Sequence, residues 1–298
     1  MSDDNKKASN ELLAGLKSIL IIAVLAIAVS WAGSDGGLSY AGWPIFAICA
    51  LLAFVVQWLV FIPAYLYQTE RYFDLTGSLT YITLVIIALI YGNADPRSFL
   101  LGTLVLIWAG RLGSFLFLRI RRAGKDPRFD AIKVVFPRFL STWSLQGLWV
   151  LLTLACALAA MTGEQSRPLG LMGAIGATVW LIGFAIEAIS DRQKSAFRND
   201  PNNAGRFIQS GLWAWSRHPN YFGEIVLWAG VAIIAFPVLQ GWQLATLISP
   251  VFVALLLTRI SGVPLLERRA DKEWGDNPEY QRYKAATPSL IPRPPKKP

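Results

Sequence analysis

The chain is poor in the residues that carry most soluble enzyme chemistry. His218 is its one histidine, and Cys49 and Cys156 are its two cysteines, among 298 residues. One imidazole and two distant thiols supply no CxxC, no HExxH and no cluster of soft ligands, so no metal site is expected. Both cysteines lie in apolar runs and read as small helix-packing residues, not as a disulfide. Charged residues make up only 16%, too few for a soluble domain of this size. No GxGxxG follows a strand and no GxxxxGK[ST] occurs, which excludes a soluble dinucleotide domain and a P-loop motor. A Ser-His-Asp arrangement is missing too, since Ser216, two residues before His218, has the wrong local geometry for a nucleophile beside its base. No Gly/Ser- or Pro-rich linker divides the chain, and no internal repeat suggests the paired halves of a transporter.

What is abundant is apolar surface: 54% hydrophobic residues and a mean hydropathy of +0.44. At roughly 20 apolar residues per membrane crossing, the runs 12–33, 44–67, 76–93, 98–118, 140–162, 168–190, 221–238 and 243–260 predict eight transmembrane helices. The fold class expected is an all-α polytopic membrane bundle. The first run is followed by Gly33-Ser34-Asp35-Gly36-Gly37, a loop rather than a cleavage site, and counts as a span. Residues 1–11 are polar and expected to be mobile, and 293–298 form a basic tail.

Loop charge orients the bundle. Arg119, Arg121, Arg122, Lys125, Arg128, Lys133 and Arg138 lie between the fourth and fifth runs, and Arg192, Lys194, Arg198, Arg206 and Arg217 between the sixth and seventh. The tail adds Arg268, Arg269, Lys272, Arg282, Lys284 and Arg293, whereas the alternate loops hold only Asp35, Asp95, Arg97, Glu164 and Arg167. The bias predicts both termini in the cytoplasm. It also accounts for the net charge of +9 without nucleic acid, because the cations fall in short loops beside spans. Every polar cluster then opens to one aqueous face, where a charged soluble cofactor can enter while an apolar substrate arrives from the bilayer.

Three clusters carry candidate chemistry. The first runs from Glu187 through Asp191, Lys194 and Arg198, which share one helical face, to Arg206 and then Ser216-Arg217-His218-Pro219-Asn220-Tyr221-Phe222-Gly223-Glu224. A carboxylate inside an apolar run is costly unless it serves something. Pro219 and Asn220 mark a helix start whose free N–H groups, with Arg217 and His218, suit an anion. The second cluster is Gln68, Glu70 and Tyr72. A carboxyl at a membrane boundary is expected to have a raised pKa and to donate a hydrogen bond, polarising an enone oxygen; an interfacial aromatic anchor is the plain alternative. The third is the basic loop 119–129, read as topology signal and anionic-lipid contact, with Arg111 inside the fourth run required to pair or face a cavity.

The run Gly211-Leu212-Trp213 and Ser216–Glu224, with Trp274-Gly275, Glu279-Tyr280, Tyr283, Thr287-Pro288 and Ile291-Pro292, resembles the bacterial membrane family DUF1295, grouped with steroid 5-alpha-reductases. Gln68–Ser78 looks like the same branch. The likeness covers residues 59–292 and leaves the first helix, within the N-terminal stretch 12–58, outside, so it implies a seven-helix reductase-like core plus one N-terminal helix. Sterol reductases, which use NADPH, and isoprenylcysteine carboxyl methyltransferases, which use S-adenosylmethionine, share the Arg-His-Pro-x-Tyr core.

The resemblance implies a cofactor among the last helices, lined by Glu187, Asp191, Arg198, Arg206, Arg217, His218, Asn220, Tyr221, Glu224, Arg259 and Glu267. It implies Gln68, Glu70 and Tyr72 on the substrate side, although Thr69 separates the amide from the carboxylate that those enzymes hold adjacent. The expected activity is that of an NADPH-dependent oxidoreductase of the 3-oxo-5-alpha-steroid 4-dehydrogenase kind, acting on a carbon–carbon double bond in a steroid-like or isoprenoid enone. The alternative is an S-adenosylmethionine-dependent methyltransferase of a lipid or prenylated substrate. In that reading His218 and Arg217 grip the carboxylate of the methyl donor, and Glu267 or Glu224 its amine. The expected partners are a lipid-like substrate and membrane lipids, in a monomer or weak homo-oligomer of a bacterial inner membrane.

Overall fold

A computed structural model describes residues 3–295, with side chains from Ser9 onward. Among these residues, eight helical stretches are long and apolar enough to cross a membrane, and each coincides with one of the eight apolar runs. The one strand pair is the short hairpin of β1 (Ser39–Tyr40) and β2 (Trp43–Pro44). The all-α membrane class expected from the apolar pattern is therefore the observed one.

α1 (Asp3–Gly33) begins well before its apolar run. The polar segment expected to be mobile is helical from residue 3, and Glu11 there pairs with Arg138; residues 1 and 2, and 296–298 of the basic tail, lie outside the described residues. α2 (Ile45–Leu66) runs unbroken through residues 58 and 59, where the reductase-like region was expected to begin. The chain forms two compact units: residues up to Leu169 with Ala235–Ser249 are one, and Gly170–Ile234 with Pro250 onward are the other.

In the first unit, α3 (Phe73–Tyr91) and α4 (Pro96–Ala123) pack on one another, and α1, α2 and α3 on α5 (Phe136–Thr162). α5 is the central helix, with 89% of its most apolar stretch buried against 17% for α1. Apolar residues on all sides of α5 leave it no polar face to turn outward, which is the mark of a buried span. Phe61, Ala64, Phe129, Phe139 and Trp143 form an aromatic cluster at one end. Two buried amides donate across helices: Gln57 to Thr80 Oγ1 at 2.9 Å and Gln146 to the Phe73 carbonyl at 2.8 Å. Cys49 and Cys156 are buried free thiols, as their place in apolar runs implied.

The second unit rests on two helices in backbone contact, α6 (Gly170–Asn199) and α7 (Pro219–Ala235). Gly176 and Gly183 on α6 face Gly223 and Gly230 on α7. A Cβ added at Gly183 would lie 2.4 Å from the Leu227 amide nitrogen and 2.6 Å from the Gly223 carbonyl oxygen. One at Gly223 would lie 2.6 Å from the Glu187 amide nitrogen, and one at Gly230 2.6 Å from that of Trp180. Small residues at a seven-residue spacing let two membrane helices approach closely where no hydrophobic driving force separates helix from lipid. After α7 come α8 (Ile248–Leu255), a π turn at Leu256–Ile260, α9 (Val263–Trp274) and α10 (Pro278–Ala286).

The contact makes a clear prediction. Gly183→Val forces the two backbones apart and destabilises the detergent-solubilised protein by about 3 kcal/mol or more. Gly110→Ala, where an added Cβ meets nothing within 4 Å, is neutral or slightly stabilising. Melting curves of both variants check this, and equal melting temperatures would remove the close-approach reading.

Candidate functional site

The site grows from the start of α7. Pro219 is its first residue, where a missing N–H costs nothing, and the Ser216 hydroxyl accepts from the His218 amide at 3.1 Å. That hydroxyl donates in turn to the Leu290 carbonyl at 2.8 Å. Ser216 is thus a tie between the helix start and the C-terminal segment, as its unsuitability as a nucleophile allows.

Arg217 and Glu267 form the central node. The guanidinium donates to both carboxylate oxygens of Glu267, at 3.1 and 3.0 Å, and through Nη1 to the carbonyls of Lys284 and Thr287 at 2.6 and 2.8 Å. The backbone explains the second pair: the end of α10 leaves carbonyls without intrahelical donors, and the planar fork of Arg217 satisfies two of them. Arg217, expected to meet an external anion, thus gives most of its donors to the fold. Glu267, expected to meet an amine in the alternative reading, already accepts from Arg217 and faces His218 Nε2.

His218 is 5% exposed. Its Nε2 stands 2.8 Å from Glu267 Oε1, its ring stacks on Tyr221 at 5.8 Å, and its buried Nδ1 has no partner. Burial pushes the imidazole pKa below its ordinary 6.5, against the raising influence of Glu267, with Lys194 and Arg217 lowering it further. The ring is neutral, donates through Nε2, and keeps an open acceptor at Nδ1. Asn220, two residues further on, donates to Asp191 Oδ1 at 3.2 Å and has a buried, unpartnered Oδ1.

A cavity of about 140 Å³ opens beside this node. Its walls carry Lys194, Arg198, Arg206, Arg217 and Arg269 against two acids, Glu267 and Glu273, with an aromatic set of Phe197, Phe207, Trp213, Trp274, Tyr280 and Tyr283. Phe207 packs on Trp274, Tyr280 and Tyr283 at centroid distances of 5.9, 5.3 and 5.5 Å. Lys194 lies 4.3 Å above the Trp213 ring, a cation–π contact. The Trp213 carbonyl accepts from Tyr283 at 2.7 Å, and the Trp213 indole donates to the Ser190 carbonyl at 3.1 Å.

The sequence candidates thus divide. Arg198, Arg206, Arg217, His218 and Glu267 line the cavity. Glu187, buried, lies where α6 meets Gly223 of α7, Asp191 is bonded to Asn220, and Tyr221 and Glu224 occupy the first turns of α7. Arg259 is exposed in the π turn and is not among the cavity residues. The aromatic wall was not anticipated as a site, although Trp274, Tyr280 and Tyr283 stand together in a tail otherwise rich in charge. That concentration of rings after the last span was the available signal.

Gln68, Glu70 and Tyr72 belong to the first unit. Glu70 is 4% exposed and fully engaged: Oε1 accepts from the Asp126 amide at 2.9 Å and Oε2 pairs with Lys133 at 2.7 Å. Burial raises its pKa, but Lys133 and the amide outweigh that and hold it below the ordinary carboxylate value of 4.5. The expectation of a protonated Glu70 donor is therefore corrected; it is an ionised acceptor that ties loop 124–135 to the α2–α3 turn. Gln68 is exposed, donates to the Tyr65 carbonyl at 2.8 Å, and has φ +51°, a left-handed backbone that costs a non-glycine residue about 1–3 kcal/mol. Tyr72 is exposed and stacks near Phe117 at 6.4 Å. Arg111 lies 5.4 Å from the Phe115 ring. No group of His, Cys, Asp and Glu suited to a metal occurs among the described residues.

The family described as "Protein of unknown function (DUF1295)" matches residues 60–287. The chain belongs to this family. It is 34% identical over 70 residues to the bovine 3-oxo-5-alpha-steroid 4-dehydrogenase 1, covering 24% of this chain and 27% of the relative. A delta(14)-sterol reductase of Gibberella zeae is 34% identical over 101 residues, 29% of this chain and 20% of the relative. An uncharacterized protein of Schizosaccharomyces pombe is 22% identical over 207 residues, 59% of this chain and 60% of the relative. The chain thus spans less than two thirds of each of these relatives. No solved structure matches it.

Two titrations follow from this geometry. A neutral buried His218 contributes stability in full above its ordinary value of 6.5, and the contribution is lost as pH falls through the lower folded value, where the unfolded chain binds the extra proton. The melting temperature is expected to decline from pH 7 downward in the wild type and less steeply in His218→Gln. A second variant, Glu70→Gln, leaves Lys133 with only the longer 3.6 Å pair to Asp130 and is expected to cost about 1–3 kcal/mol, measurable as lost thermal stability at pH 7. Tyr72→Phe, at an exposed hydroxyl, leaves stability unchanged.

Proposed function

We propose that the chain is a membrane reductase that uses NADPH to saturate a carbon–carbon double bond in a steroid-like or isoprenoid enone. The observation that carries this reading is the charge of the cavity in the second unit: five Lys and Arg side chains against two carboxylates, one of them already neutralised by Arg217. Such walls suit a polyanionic nucleotide. S-adenosylmethionine is a net cation, and of the two carboxylates considered for its amine, Glu267 already meets Arg217 and His218, which leaves Glu224.

The residues fit the nucleotide in kind as well as in charge. Arg198, Arg206 and Arg269 would hold phosphates, Arg being the residue whose fork matches their oxygens. Phe207, Trp274 and Tyr280 offer faces for stacking a base. The orphaned acceptors His218 Nδ1 and Asn220 Oδ1 call for N–H donors, which a carboxamide supplies. When bound, the cofactor supplies hydride, and the protein supplies position, polarity and exclusion of water. Arg217 and Glu267 keep the C-terminal segment closed over the helix start. Gln68 and Tyr72 are the proposed groups for the substrate carbonyl, the strained backbone at Gln68 being the kind of outlier found at functional positions. Glu70 holds their loop. The proposed setting is a bacterial inner membrane with both termini cytoplasmic, supported by the one-sided distribution of Lys and Arg.

Thermal shift on purified protein tests the reading. NADPH or NADP⁺ at about 100 times its dissociation constant stabilises the folded state by about 2.7 kcal/mol, and Arg198→Gln with Arg206→Gln is expected to weaken that response at least tenfold. Stabilisation by S-adenosylmethionine or its demethylated product alone would overturn the reductase in favour of the methyltransferase.

A further inference from the structure

Helix α9 has two faces of different character. Glu267, Ala270 and Trp274 turn toward the cavity. Arg269 also lines that cavity, whereas Leu265, Arg268 and Lys272 recur at steps of three, four and seven residues and share the opposite side. These three are exposed, Leu265 at 46%. Arg268 donates to the Pro264 carbonyl at 3.1 Å, and no ion pair joins Arg268, Arg269 or Lys272 to an acid among the described residues. In the basic segment before α5, Arg119, Lys125, Arg128 and Lys133 each pair with a carboxylate, while Arg121 and Arg122 are exposed.

The position of α9 along the chain adds a second observation. The apolar run that includes α8 ends in the π turn at Leu256–Ile260, and Ile260 is 62% exposed. Ser261 and Gly262 then break the helix before Val263, where the Leu256 carbonyl accepts from the Ser261 amide and a Cβ at Gly262 would meet the Leu257 carbonyl at 2.3 Å. A span that ends in an exposed isoleucine, a break, and a short helix showing leucine beside unpaired cations is the pattern of an interfacial segment.

We propose that the outward face of α9, carried by Leu265, Arg268 and Lys272, is a binding surface for the anionic headgroups of the bilayer that its own span enters. The leucine and Ile260 reach the acyl boundary while the cations meet phosphate. This site is distinct from the nucleotide cavity and does not depend on which cofactor fills it.

Native mass spectrometry of the full chain, titrated in detergent with phosphatidylglycerol or phosphatidylcholine, tests the proposal. The wild type is expected to bind phosphatidylglycerol at least tenfold more tightly, and Arg268→Gln with Lys272→Gln to lose roughly 30-fold, at the field strength typical of two surface cations. The charge-conserving pair Arg268→Lys and Lys272→Arg retains the preference. Raising the ammonium acetate concentration shrinks it in the wild type, a readout that needs no variant to fold. Equal uptake of the two lipids by the wild type, or a preference that survives neutralisation of both residues, would overturn the proposal.

Discussion

Backbone contact between α6 and α7 is the constraint on which the second unit depends. Four glycines at matched seven-residue intervals remove the side chains that would otherwise hold two membrane helices apart, and the amide of Glu187 comes against the position where Gly223 lacks a Cβ. At that distance Asp191 reaches Asn220, and the start of α7 is set beside the polar end of α6. Wider separation would leave Glu187 and Asp191 as acids in an apolar setting without the neighbours that make such groups tolerable.

A second constraint acts on the tail. The chain leaves its last span with a broken helix and returns through α9 and α10 to the start of α7, where Arg217 bonds to one carboxylate and two carbonyls. These bonds convert a polar, strongly charged segment into the wall of a cavity. Ser216 and Tyr283 add ties of the same kind. Lys194, Arg198, Arg206 and Arg269 also line the cavity and give it its sign. Arg217 is thus separated from the other cavity cations by the carboxylate and carbonyls it touches, and a count of basic residues in the loops contains no such distinction.

That separation marks how far the sequence alone could be read. The eight spans were legible because lipid imposes length and composition on each helix independently. The cluster around His218 was legible because polar residues are conspicuous beside apolar runs. The ties of Arg217 to the fold were not legible because its partners, Glu267 and the carbonyls of Lys284 and Thr287, are 50 to 70 positions away in the chain. Glu70 was misread for the same reason: boundary burial was foreseen, whereas Lys133, 63 residues on, was not, and the partner reverses the direction of the pKa shift. The glycine pairs Gly176/Gly183 and Gly223/Gly230 were visible as a spacing, but each pair acquires meaning only opposite the other.

The central claim is that the cationic, aromatic cavity of the second unit receives a phosphate-bearing dinucleotide. Trp213 and Trp274 in its wall make energy transfer from indole to the reduced nicotinamide the most direct measurement. The account predicts sensitised nicotinamide emission that saturates with added NADPH, is displaced by NADP⁺, and weakens when Trp274 is replaced by Phe. A folded, monodisperse protein that shows no transfer at saturating NADPH would contradict it.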